Sequence, residues 1–288
     1  MRMLKVLVRL LVNRNDLVCV AQRESESKFF RVEANVIKKI LNGNKLNVLD
    51  IGASGGIEDG FKKYNHLLNI ILVEPDPEAL LQNRKGDTVI KNLIGGKDEK
   101  VFLNICKSRM VSSILDLNGE FLDYLAAGDT ERFDVIDRIL LPMSTIESAM
   151  KKTGNRVDYL KMDTEGTEHE IIKGFGDFRP LIIKTEIGFV SIRKDQAIFF
   201  HLGKELYDMG YILFHLAYGG KSAPAKYKSN KPWNETIMPL QGDAWFMPDW
   251  TRSEGIKMIK GRKNSYKALM EIFGMREILK YSLDKIRN

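Results

Sequence analysis

The stretch LDIGASGG at residues 49–56 restricts the possible folds of this chain more than any other part of its sequence. It is an apolar run with the carboxylate of Asp50 near its end, and Gly52, Gly55 and Gly56 follow at once. Glycines after a strand permit a sharp turn and allow another group to approach the backbone closely. The stretch therefore predicts a strand and a tight turn, which either binds a ligand or serves only as a connection.

Short apolar runs alternate with amphipathic stretches after residue 25. The spacing predicts strands at 46–51, 69–74 and 88–93, with helices at IEDGFKKYN and PEALLQNRKG between them. Further strands are predicted at VFLNICKS, IDRILLPM, RVDYLKMD, PLIIKTEIG, YILFHLAYG and GDAWFMP. Further helices are predicted at SESKFFRVEANVIKKILNG, GEFLDYLAAG, STIESAMKK, EHEIIKGF and KDQAIFFHLGKELYDMG. This alternation predicts an α/β fold with a parallel sheet.

The net charge of +7 is concentrated late in the chain. Residues 219–232 contain four lysines and no acid, and residues 251–288 contain ten Lys and Arg against four acids. From about residue 262 the apolar residues of the tail recur at helical spacing, which predicts an amphipathic helix. We expect its apolar side to pack on the rest of the protein, and contact with an anionic membrane surface is the alternative.

Cysteine and histidine usage indicates the compartment and the kind of site. Two cysteines, Cys19 and Cys106, cannot form a disulfide framework, so we predict a cytoplasmic protein, with peripheral membrane contact as an open alternative. Lys5 and Arg9 interrupt the apolar N-terminal stretch MRMLKVLVRLLV, which therefore reads as an amphipathic segment rather than a signal peptide. The four histidines have no paired spacing, so no metal site is predicted.

Two acids downstream of Asp50 indicate what the glycine turn binds. Glu74 follows 24 residues later at the end of a predicted strand, where doubly wound folds place a carboxylate on ribose hydroxyls. The glycines do not form the G-x-G-x-x-G pattern of dinucleotide sites, so a ribose ligand without a pyrophosphate, such as S-adenosylmethionine, fits better. Asp163 ends another predicted strand. Because ligands bind at the carboxyl ends of strands, we expect the three carboxylates to converge there.

Four motifs in order, VLDIGASGG, VEPDPEAL, DYLKMDTEGTEHEIIKGF and PLIIKTE, resemble the FkbM family of S-adenosylmethionine-dependent methyltransferases. The resemblance covers roughly residues 45–215 and the later strand GDAWF. It implies a class I methyltransferase (Rossmann-like) fold, with a seven-stranded mostly parallel sheet, helices on both faces and an antiparallel last strand. It also implies O-methylation, commonly of a sugar or polyketide hydroxyl. The glycine-rich turn and Glu147, where the family often has Asp, are departures from its pattern.

Site residues follow from the resemblance position by position. It implies a cofactor loop formed by Asp50, Gly52, Ala53, Ser54 and Gly55. Glu74 would hold the ribose and Asp76 would flank the adenine, and we also assign Asn92 and Asp163 to the cofactor site. Ser112 and Ser113 resemble a serine pair of the family, and we assign them, with Glu186, to substrate binding.

A hydroxyl acceptor must lose its proton as the methyl group arrives, which requires a general base. We predict Asp163 as this base, with Glu165 beside it, because Asp163 stands at a strand tip. His169 is the alternative, because imidazole titrates near neutral pH. The predicted acceptor is a hydroxyl of a sugar, polysaccharide or glycolipid.

The expected organisation is an amphipathic and helical N-terminal extension (1–43), a methyltransferase domain (44–250) and a basic helical tail (251–288). Two other functions remain open from the sequence. A nucleic-acid methyltransferase would use the basic loop and tail, but few aromatic residues accompany these lysines. A non-catalytic protein that binds S-adenosylmethionine would have no need of all three carboxylates.

Overall fold

The computed structural model describes residues 28–54, 56–76, 86–124, 130–153, 156–222 and 238–287. Ten strands lie within these ranges. They are β1 (Leu46–Ile51), β2 (Leu68–Val73), β3 (Thr88–Ile90), β4 (Leu93–Gly95), β5 (Glu99–Cys106), β6 (Val135–Thr145), β7 (Tyr159–Met162), β8 (Ile182–Gly188), β9 (Tyr211–Ser222) and β10 (Met238–Pro248).

Seven of the strands form one sheet in the order β3-β2-β1-β7-β8-β10-β9. The first five strands in this order run parallel to one another, with Asp50 opposite Leu72 on one side and Lys161 on the other. The final strand β10 is antiparallel to both β8 and β9 and lies between them. This is the class I methyltransferase topology, and it confirms the predicted fold.

A second, three-stranded sheet has the order β4-β6-β5. The sequence predicted one strand over 88–93, and this prediction is wrong. The chain leaves the main sheet after β3 and enters the small sheet at Leu93, which pairs with Met143 of β6. The break falls at Lys91 and Asn92, two polar residues within an otherwise apolar run.

Seven α-helices are assigned within the described residues. They are α1 (Ala34–Leu41), α2 (Ile146–Thr153), α3 (Glu168–Lys173), α4 (Phe199–Asp208), α5 (Ser253–Lys260), α6 (Lys263–Ile272) and α7 (Arg276–Arg287). Two predicted helices are 3-10 helices instead, at Asp59–Leu67 and Gly119–Tyr124. The predicted helix PEALLQNRKG falls almost entirely outside the described residues, as do the amphipathic N-terminal segment and most of the basic loop after residue 219.

The main sheet separates two hydrophobic cores, because successive side chains of a strand point to opposite faces. Val48 of β1 belongs to the first core, which contains residues of α1, α6 and α7. Leu49, one position later, belongs to the second core, which contains residues of α2, α3 and α4. Helices therefore cover both faces, as the fold requires.

The tail contributes a large part of the first core. Tyr266, Leu269, Ile272 and Phe273 are each at most 1% exposed, so the apolar stripe that the sequence predicts is buried against the sheet. The division into 1–43, 44–250 and 251–288 stays a prediction. Within the described part of the chain, every helix is too short or too polar to cross a bilayer.

Candidate cofactor and active site

A cavity of about 360 Å³ opens at the carboxyl ends of the parallel strands. Its size lies within the roughly 300–1,000 Å³ typical of ligand sites. The sequence-predicted site residues in its lining are Gly52, Ser54, Glu74, Asp76, Ser112, Ser113, Asp163, Glu165 and Glu186. These residues come from separate segments of the chain, and the sheet brings them together.

Gly52 makes the turn after β1 possible. Its φ of +77° lies in the left-handed region, and a Cβ atom there would lie 1.8 Å from the carbonyl oxygen of Asp163. Only glycine fits this contact between two chain segments. The backbone of Ile51 also accepts a hydrogen bond from Asp163 N at 3.0 Å. The glycine turn and the strand tip at Asp163 are therefore held directly against each other.

Lys161 joins two of the predicted carboxylates. Its Nζ atom lies 3.2 Å from Asp50 Oδ1 and 3.3 Å from Asp163 Oδ2. Burial raises the pKa of Asp50 from its ordinary value of 3.8 to about 7, although Lys161 acts in the opposite direction. Asp50 is 1% exposed and stands behind the turn rather than in the cavity wall. Asp50 therefore acts on the site through Lys161, whose ammonium it holds in place.

Glu74 and Asp76 follow β2 and are both buried. Glu74 Oε1 accepts a hydrogen bond from Asp76 N at 3.0 Å, which fixes the carboxylate at the cavity wall. Burial raises the pKa of Glu74. Asp76 pairs with Arg109, whose NH1 atom lies 2.5 Å from Asp76 Oδ2. Arg109 is a cavity residue that the sequence analysis did not identify.

The turn between β7 and α3 has an unusual backbone. Glu165 has a φ of 58°, which is rare for a residue with a side chain, and Gly166 follows with a φ of +110°. Glu168 accepts hydrogen bonds from Thr164 N at 2.7 Å and Gly166 N at 3.2 Å, so its role is to hold this turn. Ser113 donates a hydrogen bond to the Glu165 carbonyl at 2.9 Å.

Three carboxylates meet inside the cavity. Asp163, Glu165 and Glu186 each place an oxygen within 4.8 Å of the others, a spacing that a divalent cation could bridge. Burial, opposed by Arg193, raises the pKa of Glu165 from 4.5 to about 7. Burial and the neighbouring acids raise the pKa of Glu186 well above its ordinary range. At neutral pH the two glutamates can therefore hold and exchange a proton.

Several predicted residues lie elsewhere. Ala53 is fully buried in the first core, and Asn92 stands just before β4, outside the cavity lining that includes its neighbour Leu93. His169 lies on α3 with its Nε2 atom 2.7 Å from Glu205 Oε2 of α4, away from the cavity. The alternative base is thus not among the residues that meet in the cavity. Gly55 lies outside the described residues.

Two further functional residues escaped the sequence analysis. Lys161 is the single charged residue of the strand YLKM and stands two positions before Asp163, a spacing that puts both side chains on one face. This signal was available in the sequence. Arg193 gave no such signal. Its side chain is 2% exposed and its NH2 atom lies 3.6 Å from Glu165 Oε2, but it belongs to a loop that is distant from Glu165 in sequence.

A larger cavity, about 680 Å³, lies at the opposite end of the sheet, near the starts of β7 and β8. Its lining includes Val157 and Arg179 and none of the carboxylates described above. In open α/β sheets ligands bind at the carboxyl ends of strands. The smaller cavity is therefore the candidate active site.

Residues 50–213 match the model of the methyltransferase FkbM domain, which is more than half of the chain. The chain belongs to the FkbM methyltransferase family. The match spans the glycine turn, Glu74, the Asp163 turn and Glu186, which are the segments that build the cavity.

Solved structures of other methyltransferases show distant likenesses to this FkbM protein. One is the precorrin-6y C5,15-methyltransferase of Geobacter metallireducens, with 12% identity, a TM-score of 0.34, and 78% of this chain and 87% of that chain covered. Another is the magnesium protoporphyrin IX methyltransferase of Synechocystis with bound SAM, with 8% identity, a TM-score of 0.34 and 79% of each chain covered. Likenesses this weak carry no argument about the substrate. No curated protein matches the sequence.

Proposed function

We propose that this protein is an S-adenosylmethionine-dependent O-methyltransferase whose acceptor is a hydroxyl of a sugar, polysaccharide or glycolipid. The observation that carries the proposal is the convergence of Glu74, Asp163, Glu165 and Glu186 on one cavity at the carboxyl ends of the strands. A ribose-binding acid and a group of proton acceptors at one site suit transfer of a methyl group to a hydroxyl.

The residues of the cavity fit S-adenosylmethionine. Glu74 is a buried carboxylate whose position is fixed by Asp76 N, and it stands where class I folds bind ribose hydroxyls. Gly52 allows the turn to lie directly against the Asp163 backbone, so both segments reach the cavity wall. When bound, the cofactor supplies an electrophilic methyl group. The protein aligns the acceptor with that group and excludes water from the reaction.

In our proposal, the carboxylates that meet in the cavity accept the proton of the acceptor hydroxyl. Asp163 is held by Lys161 at 3.3 Å, and its side chain is 42% exposed compared with 21% for Glu165, so an acceptor can reach it. Glu165, with a pKa of about 7, is suited to receive the proton, because a base works best when its pKa lies near the working pH. Arg193 stabilises the ionised form of Glu165 from behind.

Two measurements test the cofactor part of the proposal. Calorimetry should detect binding of S-adenosylmethionine or its demethylated product to the purified protein. The Glu74→Ala variant should bind it about 1–3 kcal/mol more weakly, the usual cost of losing hydrogen bonds to a charged group. A folded wild-type protein that binds neither ligand at millimolar concentration contradicts the assignment.

The acceptor and the base are tested together. Mass spectrometry of glycans and glycolipids from cells with and without the gene should reveal a methyl group that depends on the protein. On that acceptor, Asp163→Asn should lose turnover by about 100-fold or more while it retains cofactor binding. The matched control is His169→Gln, which we expect to remain active because His169 pairs with Glu205 outside the cavity. Wild-type turnover by Asp163→Asn would place the base elsewhere.

A further inference from the structure

Large apolar side chains are exposed on the antiparallel pair of β5 and β6, here called the hairpin, whose strands are connected by residues 107–134. Phe102 is 57% exposed and Leu140 is 51% exposed. Ile136 is 62% exposed and lies where the pairing register of β5 and β6 shifts. Soluble proteins seldom leave several such side chains uncovered side by side, and contiguous apolar surfaces usually mark a place of interaction. This patch lies outside the active-site residues described above.

The register of the hairpin shows which residues share the exposed side. Phe102 lies opposite Leu140, and Asn104 lies opposite Arg138. Because side chains alternate along a strand, Lys100, Phe102, Arg138 and Leu140 point to the same face. The other face carries Leu103 and Met143, which line the cavity. The hairpin is therefore a wall of the active site with an apolar outer surface.

We call Lys100, Phe102, Arg138 and Leu140 the hairpin face. It combines two large apolar residues with two cations, and Ile136 is exposed farther along β6, at the register shift. Arg138 does contact Asp116, but at 3.7 Å and with both side chains more than half exposed, which is a weak pairing. The charge of the hairpin face thus remains available to an anionic surface.

We propose that the hairpin face docks the protein on a lipid bilayer that contains anionic headgroups. Apolar side chains enter the boundary between headgroups and acyl chains, while Lys and Arg beside them meet the negative surface. Met110 lies next to β5, lines the cavity and is 71% exposed, so an apolar side chain is also exposed at the cavity itself. Docking would therefore bring the cavity close to the membrane surface.

A second copy of the chain fits the hairpin face less well. Two identical surfaces that meet face to face across a two-fold axis bring Lys100 and Arg138 towards their own copies, and Asp116, which contacts Arg138, offers only one carboxylate against these cations. The apolar stripe of the tail is no alternative membrane anchor, because it is packed into the first core. The hairpin face is the better candidate for a membrane contact among the described residues.

Vesicle sedimentation of the full chain tests the proposal without any knowledge of the acceptor. Wild-type protein should sediment with phosphatidylcholine vesicles that contain phosphatidylglycerol, and less with phosphatidylcholine alone. The double variant Phe102→Ser, Leu140→Ser should bind about tenfold more weakly, because it removes apolar surface from the bilayer contact. The variant Lys100→Glu, Arg138→Glu should lose the preference for anionic vesicles.

The control is Phe200→Ser, which changes an aromatic side chain of similar exposure (69%) on α4, outside the hairpin. It should bind vesicles as the wild type does, and circular dichroism should show all variants folded. Wild-type protein that ignores both kinds of vesicle overturns the proposal. Unchanged vesicle binding by the two hairpin variants also overturns it, because another part of the chain must then contact the bilayer. A dimer that Phe102→Ser, Leu140→Ser converts to a monomer, without vesicle binding, would instead identify a protein interface.

Discussion

The ammonium of Lys161 lies between two carboxylates, 3.2 Å from Asp50 and 3.3 Å from Asp163. Asp50 precedes the glycine turn and Asp163 directly follows β7, so one side chain connects the cofactor loop to the proposed base. Burial disfavours the charge of Lys161, but Asp50 and Asp163 outweigh this effect and raise its pKa. Lys161 is therefore a positioning residue that remains a cation throughout the working pH range.

Removal of this cation should destabilise the protein and misplace the base. We expect Lys161→Met to lower the free energy of unfolding by about 3–5 kcal/mol, because the buried carboxylate of Asp50 loses its partner. The loss should be larger at about pH 8 than at about pH 5, since protonation of Asp50 relieves it at low pH. Urea denaturation at both pH values measures the effect. Lys161→Arg should recover part of the stability, and an equal loss at both pH values would contradict this account.

The contact between Gly52 and Asp163 predicts a strong and local effect of one methyl group. Gly52→Ala should destabilise the protein and abolish cofactor binding, because the new Cβ atom overlaps the Asp163 carbonyl. The matched control is Gly43→Ala, which has a similar positive φ of +84° but nothing within 4 Å of the new atom. The control should cost only about 1 kcal/mol, the penalty of the backbone conformation. Similar losses for the two variants, measured by urea denaturation, would rule out the steric explanation.

Glu165 should make stability depend on pH. Burial raises its pKa in the folded protein to about 7, compared with an ordinary value of 4.5. The folded state therefore holds this proton more tightly, and the resulting stabilisation is complete below about pH 4.5 and is lost as the pH rises through about 7. Thermal melts of wild type should show a falling melting temperature across this window.

The slope of that profile should be shallower in Glu165→Gln, which cannot ionise at this position. Asp50 and Glu186 also have raised pKa values, so part of the slope should remain. Glu120→Gln changes an exposed acid and should leave the profile unchanged. A Glu165→Gln profile that follows the wild type would show that Glu165 ionises as an ordinary surface acid.

The carboxylates of Asp163, Glu165 and Glu186 also allow a test of metal dependence. Their spacing would suit a divalent cation, yet the raised pKa values of both glutamates let a shared proton relieve the repulsion instead. We therefore expect EDTA to leave the melting temperature unchanged and added Mg²⁺ or Mn²⁺ not to raise it. A rise with either cation that disappears in Glu186→Gln would establish a metal site.

The sequence was sufficient to predict that Glu74 and Asp163 converge, because parallel strands must bring their carboxyl ends to one edge. The third carboxylate of that prediction, Asp50, contacts Lys161 behind the turn and does not line the cavity. The sequence was not sufficient where a side chain is directed by tertiary contacts. His169 is adjacent to the acidic motif in sequence, yet the rotation of α3 turns it towards Glu205. The split of 88–93 between two sheets likewise depends on Met143, a partner far away in the chain. Local periodicity contains no information about such partners.

The basic tail gives the last prediction, because its apolar stripe is part of the first core. The ring of Phe273 stacks on Tyr159 of β7 at 5.8 Å between centroids and meets Phe29 edge to face at 5.1 Å. Phe273→Ala should therefore lower the free energy of unfolding by about 3–5 kcal/mol. Tyr281→Ala, in the same tail but at a side chain that is 70% exposed, should change it by less than about 0.5 kcal/mol.

Deletion of residues 262–288 extends the test from one side chain to the whole segment. It removes Tyr266, Leu269, Ile272 and Phe273 from the core and exposes the sheet residues beneath them. We expect loss of soluble expression or a large fall in melting temperature, measured by scanning fluorimetry. A truncated protein as stable as the wild type would mean that the tail does not pack on the sheet, and its basic amphipathic sequence would then point to a membrane or another partner.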